Sequence, residues 1–353
     1  MPLTSAVPRT DRKKQVVAGA VTLVVLVVVF AGILPQLGNY SDAWAAIKDM
    51  SMTQLGVLAA TVVASILIYV FPFQAALKGL RYSPAFMIRQ TSFTISNAVP
   101  AGGAIGLGVQ YGMLSGAGFS GAAASSAIGI TGVFNLFATL ALPVLGVLAL
   151  LTVDTPTTGE VLGAIGGLVV LGLMIGFFAA ILRSESAARR LGGIGERFLN
   201  AFRRRFRQGQ PVDLIDKILD FRDSTVDVVR DRWAALTLSN LAQQLSQFAV
   251  LAAALRITET GEATQVPVLA AFAAFALARL AGFIPITPGG LGTVDAGLTG
   301  LLIAVGASQS DALAATLLWR AASWVPQVAL GFITLMIWRA RAARARKAAA
   351  AAA

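Results

Sequence analysis

The sequence predicts an all-α polytopic membrane protein with six full transmembrane helices, two broken or re-entrant helical hairpins and an inverted structural repeat. Three observations predict it. The chain has 353 residues, of which 56% are hydrophobic and only 13% charged, with a mean hydropathy of +0.75; soluble domains carry roughly 25% charged residues. Basic residues crowd into alternate loops between long apolar runs. Two blocks containing Pro and Gly match each other at an offset of 188 residues. The chain has no His and no Cys. Disulfides, thiol nucleophiles, Cys/His zinc sites and histidine acid–base chemistry are thereby excluded, and neither a metal nor a cofactor is expected.

The apolar runs are residues 16–34, 55–73, 122–151, 161–182, 233–255 and 312–338. Each is near or above the ~20 residues that a helix needs to cross the hydrocarbon. Residues 1–15 resemble the basic start of a signal peptide. The apolar run after them is longer than a signal core and no small-residue cleavage site follows, so the first helix is expected to be retained. Arg9, Arg12, Lys13 and Lys14 precede the first run, and Lys78, Arg81 and Arg89 follow the second. Residues 183–232 hold twelve basic residues and residues 339–347 hold five, whereas the alternate loops hold Lys48, none, and Arg256. The Lys/Arg bias places both termini of this multi-pass protein in the cytoplasm. The chain divides into an N-terminal half (1–182), a cytoplasmic helical loop (183–232), a C-terminal half (233–338) and a basic, Ala-rich tail (339–353).

Residues 84–118 and 266–306 are apolar stretches, each with a Pro-Gly break. Either a re-entrant hairpin or a pair of crossings satisfies loop charge. Hairpins are favoured, more strongly for the first, because residues 87–97 carry Arg89, Gln90, Thr91, Ser92, Ser96 and Asn97, and polar segments at membrane depth belong where they line a cavity or are buried in protein. In the large loop Phe198, Phe202 and Phe206 recur beside Arg203, Arg204, Arg205 and Arg207, and Asp213, Asp216, Asp220, Asp223 and Asp227 follow at helical spacing. This pattern predicts a basic and an acidic cytoplasmic helix packed together, with contact to anionic headgroups as the alternative. The net charge of +11 fits membrane topology, and no nucleic-acid partner is expected.

The repeat aligns Pro100 with Pro288, Gly102 with Gly290, Gly112 with Gly300, Leu114 with Leu302, Gly118 with Gly306 and Ser120 with Ser308. Small residues agree at spacing four, Ala104, Gly108, Gly112 and Gly116 against Gly292, Ala296, Gly300 and Ala304, a pattern that lets helices approach closely. Three crossings and one broken segment per half would invert the halves, the plan of many alternating-access transporters. Pro100, Gly102, Gly103, Pro288, Gly289, Gly290 and Gly292 are the expected hinge or broken-helix residues. Their helix N-termini either face an anionic headgroup or merely let the chain turn.

The blocks PITPGGLGTVDAGLTGLLIAVGASQSDALAATLLWR (285–320) and NAVPAGGAIGLGVQYGMLSGAGFS (97–120) resemble the transmembrane region of the lysylphosphatidylglycerol synthase family, also called the flippase-like domain family. The resemblance covers most of the chain. It implies a bacterial inner-membrane protein that translocates a polar-headed lipid. Some relatives add a soluble aminoacyl-transferase domain, for which the chain has no room after its last span, so lysyl transfer is not implied. The second block carries Asp295 where the family usually has Glu, and residues 104–111 are uncharged where many relatives are charged.

The expected substrate-binding residues are Arg320, Asp295, Arg279, Gln243, Gln247, Asn240, Asn97, Gln110 and Tyr111. Intramembrane charge is costly and faces a cavity or a partner. Depth along the two helices brings Asp295 and Arg320 within reach of each other. Arg279 either snorkels or binds phosphate. Asn240, Gln243, Gln244 and Gln247 share one helix face, for interhelical bonds or for a polar path. Asp311 is read as a helix-start acid. The expected function is a lipid flippase, not an enzyme, acting on an anionic phospholipid, a glycolipid or a polyprenyl-linked lipid by alternating access. The alternatives are an integral-membrane lipid-phosphate enzyme, or a non-catalytic scaffold for an envelope-lipid synthesis enzyme. Expected partners are membrane lipids, with an envelope-lipid synthesis enzyme or a homo-oligomer possible.

Overall fold

The computed structural model describes residues 41, 45, 48–98, 102–150, 158–205, 215–259, 265–283 and 290–351. The expected first span, Pro100, Pro288, Gly289, Phe206 and Asp213 lie outside the described residues. The described residues contain helices and no strands. Among the described residues, four helical segments are long and apolar enough to cross a membrane: Met52–Ala76, Gly121–Leu150, Ile165–Arg183 and Gln309–Arg344. Their outer faces carry exposed Val57, Val63, Leu168, Leu173, Phe177, Phe332 and Met336, a surface suited to lipid tails.

Helix α1 (Met52–Ile68) starts at Ser51, whose hydroxyl accepts from Gln54 N–H while Gln54 Oε1 accepts from Ser51 N–H, a capping box. The chain breaks at Tyr69–Val70 and continues as α2 (Phe71–Ala76). Helices α3 (Tyr82–Ala98) and α4 (Gly102–Gly116) run antiparallel. A Cβ on Gly102 would strike the Ile95 and Ser96 carbonyls, one on Gly106 would strike Ser96, and Gln110 Nε2 donates to Ser92 Oγ. Helix α5 (Gly121–Leu150) and helix α6 (Thr158–Arg183) follow.

Helix α7 (Glu185–Arg205) is the expected basic helix; it carries Phe198 and Phe202. It packs where Gly192 meets Ile215 and Ile218. The expected acidic helix is not a separate element. It is the start of α8 (Ile215–Thr258), a single 44-residue helix that runs on through residues 233–255. That segment, expected as the fifth span, is not among the four apolar helices above; its run of Asn and Gln lowers its hydropathy. Arg232, read in the sequence as a loop charge, donates to the Gln74 and Ala75 carbonyls at the end of α2, where a cation suits the helix dipole.

The second half ends with α9 (Val268–Ala278), a 3-10 turn (Arg279–Phe283), α10 (Thr293–Ala304) and α11 (Gln309–Ala351). Asp311 sits in the first turn of α11, as read from the sequence.

The two turns at the 188-residue offset match bond for bond. Phe119 N–H donates to Leu114 O as Ala307 N–H does to Leu302 O, and Gly118 N–H to Ser115 O as Gly306 N–H to Ile303 O. Gly118 and Gly306 have φ of 89° and 105°. These are Schellman motifs with Gly at the left-handed position. Ser120 Oγ then accepts from Ala123 N–H, and Ser308 Oγ from Asp311 N–H, so each Ser is the N-cap of the next helix.

Packing is also reciprocal. Helix α3 lies on α11, where Thr91 and Thr334 hydroxyls are 2.8 Å apart and Gly331 meets Thr94 and the Gln90 carbonyl. In the other half α9 lies on α5, where a Cβ on Gly146 would be 3.0 Å from Ala273 Cα. The expected small-residue face of the first block does not make the close approach: Gly108, Gly112 and Gly116 face open space. Gly102 and Gly106, two positions earlier on the wheel, carry it instead.

Candidate functional site

Between the halves lies a cavity of about 400 Å³, within the usual range for ligand sites. Each wall presents one helix face at three- or four-residue spacing. Helix α3 supplies Arg89, Phe93 and Asn97, and α4 supplies Leu107 and Gln110. Helix α5 supplies Thr131 and Asn135, α8 supplies Gln243 and Gln247, and the 3-10 turn supplies Arg279. Helix α11 contributes Trp319, Arg320, Ser323, Trp324 and Gln327, and the α1–α2 break adds Tyr69.

Three arginines therefore share one chamber with no carboxylate among its described lining residues. Of the three, only Arg320 has an acidic partner among the described residues: its Nε donates to Asp295 Oδ1 at 2.6 Å. Asp295 is 1% exposed and lies behind the wall. Its Oδ2 accepts from Gly292 N–H at 2.8 Å, so the same carboxylate caps α10 and holds Arg320. Gly290 and Gly292, at φ of 68° and 86°, let the chain make this approach.

Arg89 and Arg279 form no ion pair with any described residue. Aromatic rings attend them instead. The Arg89 guanidinium carbon is 4.0 Å from the Tyr69 ring centroid, and that of Arg279 is 5.9 Å from Phe275. Arg320 lies 4.8 Å from the Trp319 ring. Each such contact contributes about 0.5–2 kcal/mol, less than burying an unpaired charge costs. Several lining atoms are buried without a hydrogen-bond partner among the described residues: Arg89 Nε, Arg279 Nε, Arg320 Nη2, Gln243 Oε1, Ser323 Oγ, Trp324 Nε1 and Gln327 Nε2. Buried polar groups are ordinarily bonded, and an acceptor-rich ligand would satisfy most of those gathered here.

Of the residues singled out from the sequence, Arg320, Arg279, Gln243, Gln247, Asn97 and Gln110 meet at this cavity. Three do not line it. Asn240 is buried and donates to Leu236 O in its own helix. Tyr111 is exposed and donates to Ser125 Oγ. Asp295 acts through Arg320. The amide face of α8 divides: Gln244 donates to Thr139 on α5, and Gln247 donates to Ser65 on α1 while also lining the cavity. Gly103 faces open space and has no close neighbour.

Sequence reading missed Arg89 as a site residue, because it was counted as a loop charge. It also missed Tyr69, Asn135, Trp319, Ser323, Trp324 and Gln327. The signal for Ser323, Trp324 and Gln327 was present: residues 320, 323, 324 and 327 repeat the spacing of residues 240, 243, 244 and 247.

A family model described as "Lysylphosphatidylglycerol synthase TM region" matches residues 15–331. No curated protein matches the chain.

Proposed function

The chain belongs to the lysylphosphatidylglycerol synthase TM-region family, and from that premise we propose that it is a lipid translocase. It moves a polar-headed lipid between leaflets of the bacterial inner membrane by alternating access, with both termini cytoplasmic. The headgroup enters the cavity while the acyl or prenyl chains stay in the bilayer.

One observation carries this reading: a basic, amide-rich chamber among helices whose outer faces are apolar. Guanidinium groups recognise phosphate oxygens in a fixed fork geometry. The exposed apolar faces leave the lipid tails no reason to leave the hydrocarbon. The matching turns and reciprocal packing support two inverted halves that rock about the cavity, with α3–α4 and α9–α10 as re-entrant hairpins.

A lipid-phosphate enzyme is less well supported. Neither His nor Cys is present, no described carboxylate lines the chamber, and Asp295 is committed to Arg320 and Gly292, which leaves Tyr69 as the one ordinary acid–base group in the described lining. A scaffold for an envelope-lipid enzyme would use α7 and leave the chamber's chemistry without a purpose.

Reconstitution into vesicles with tail-labelled phospholipids tests the proposal. Lipid is expected to cross faster than in protein-free vesicles, and Arg320→Ala is expected to abolish the difference. Equal rates with and without the folded protein, across anionic phospholipid, glycolipid and polyprenyl phosphate probes, would refute it.

A further inference from the structure

We propose that the chamber is matched to a headgroup with two negative charges, a lipid phosphomonoester or diphosphate, and not to the single charge of a phosphodiester phospholipid. The inference rests on the translocase reading and narrows its substrate.

The charge balance comes first. Arg89, Arg279 and Arg320 line the chamber, and Asp295 neutralises Arg320. Two guanidinium charges remain, on Arg89 and Arg279, and no described carboxylate pairs with either. Arg89 projects from α3 and Arg279 from the turn after α9, equivalent arms of the two halves. The two uncompensated charges thus reach the chamber from opposite halves. A monoanion leaves one of them unmatched in a poorly solvated space, whereas a dianion matches both.

Hydrogen-bonding capacity points the same way. The unpartnered buried atoms are mostly donors: Arg89 Nε, Arg279 Nε, Arg320 Nη2, Trp324 Nε1 and Gln327 Nε2, against the acceptor Gln243 Oε1 and the Ser323 hydroxyl. A terminal phosphate brings nearly two charges and three strong acceptor oxygens at neutral pH. A phosphodiester has one charge and fewer free oxygens, and would leave more of these donors unbonded. An aminoacylated headgroup would bring a cation into a chamber with no carboxylate among its described lining residues.

The test uses the purified full chain in detergent at pH 8. Trp319 and Trp324 line the chamber, so tryptophan fluorescence reports its occupancy. The probes are short-chain phosphatidic acid, short-chain phosphatidylglycerol and inorganic pyrophosphate. Phosphatidic acid is expected to bind at least about tenfold more tightly than phosphatidylglycerol, since one further charge sits beside a guanidinium at low effective dielectric. Arg89→Gln and Arg279→Gln are each expected to remove most of that preference. If Arg279→Gln does not fold, Arg89→Lys against Arg89→Gln carries the test: Lys keeps the preference and Gln loses it.

Equal binding of the two lipids, or a preference that survives in Arg89→Gln, overturns the inference. Pyrophosphate binding as tightly as phosphatidic acid overturns the lipid part and assigns the chamber to a soluble anion. Translocation of both tail-labelled lipids in vesicles separates the two readings. Phosphatidylglycerol crossing as fast as phosphatidic acid overturns the dianion inference and leaves the translocase. Neither lipid crossing, with the binding preference intact, overturns the translocase and leaves a dianion site.

Discussion

Replacing Arg320 by alanine strands a carboxylate that is 1% exposed. Asp295 would keep the bond from Gly292 N–H and lose the 2.6 Å bond from Arg320 Nε. At the ~4 Å charge separation of a close pair, the lost attraction is about 4 kcal/mol at an effective dielectric of ~20. Breaking a buried pair by removing one partner costs about 3–5 kcal/mol, so the two routes agree. That is a large share of the roughly 5–15 kcal/mol that holds most folds together. Arg320→Ala should therefore unfold at clearly lower denaturant, followed by circular dichroism in mild detergent, and should not move lipid. The double change Asp295→Asn with Arg320→Gln removes both charges and leaves amides able to bond, so most of the stability should return. Lipid movement should stay lost, because the guanidinium facing the chamber is gone. Wild-type transport in the double variant would mean that the pair only locks α10 to α11. Unchanged unfolding of Arg320→Ala would refute the energetic reasoning itself.

Gly331→Ala pushes a Cβ into Thr94 and the Gln90 carbonyl; overpacking of about 1–3 kcal/mol is expected, read as a lower thermal midpoint. Gly112→Ala adds its Cβ in open space and should be neutral or stabilising by up to about 1 kcal/mol; a clear loss would expose a contact on that face. Replacing residues 185–210 by a flexible linker should leave stable membrane protein, measured by yield and monodispersity, with total loss as the contrary result. The Glu185 carboxyl is held below its ordinary value of 4.5 by the hydrogen bond from Arg189 and its charge. This pair should tighten the start of α7 above that value and release it as pH falls through the lowered one. Hydrogen-exchange protection in residues 187–189, taken against the intrinsic rate at each pH, should fall at acid pH in the wild type and show no such pH step in Arg189→Gln.

Much of the architecture was legible because membranes impose a coarse code. Apolar length marked the helices at 121–150 and 158–183 to within a few residues, and the start of the one at 309–351, whose basic and Ala-rich end runs thirteen residues past the apolar run. The Gly-x-Ser repeat marked two turns whose chemistry, a left-handed Gly followed by an N-cap Ser, the bonds explain. Charge counting misled at Arg89 and Arg232. It treats every Arg beside an apolar run as solvated, whereas one lines the chamber and the other caps carbonyls of α2. The acidic and amide-rich patterns of α8 looked like two elements because composition changes at residue 232 while the backbone does not. Asn240 and Gln243 were indistinguishable in the sequence. About one helical turn before the other amides, Asn240 finds a local carbonyl, and only tertiary packing decides which amide reaches the cavity.

Helix α3 carries Gln90, Thr91, Ser92 and Thr94, all buried in the finished protein. The hydroxyl that satisfies Thr91 belongs to Thr334, 243 residues further along. At about 5–20 residues per second, a ribosome takes roughly 12–50 s to make that stretch. Throughout that interval Thr91 and Thr94, whose hydroxyls meet Thr334 and the Gln327 and Val328 carbonyls, lack the surface they were shaped for. The early product must shelter against water, lipid headgroups or an insertion chaperone until the last helix emerges. Early termination within α11 therefore damages the beginning of the protein as much as its end, and quality-control proteases should meet the N-terminal half first.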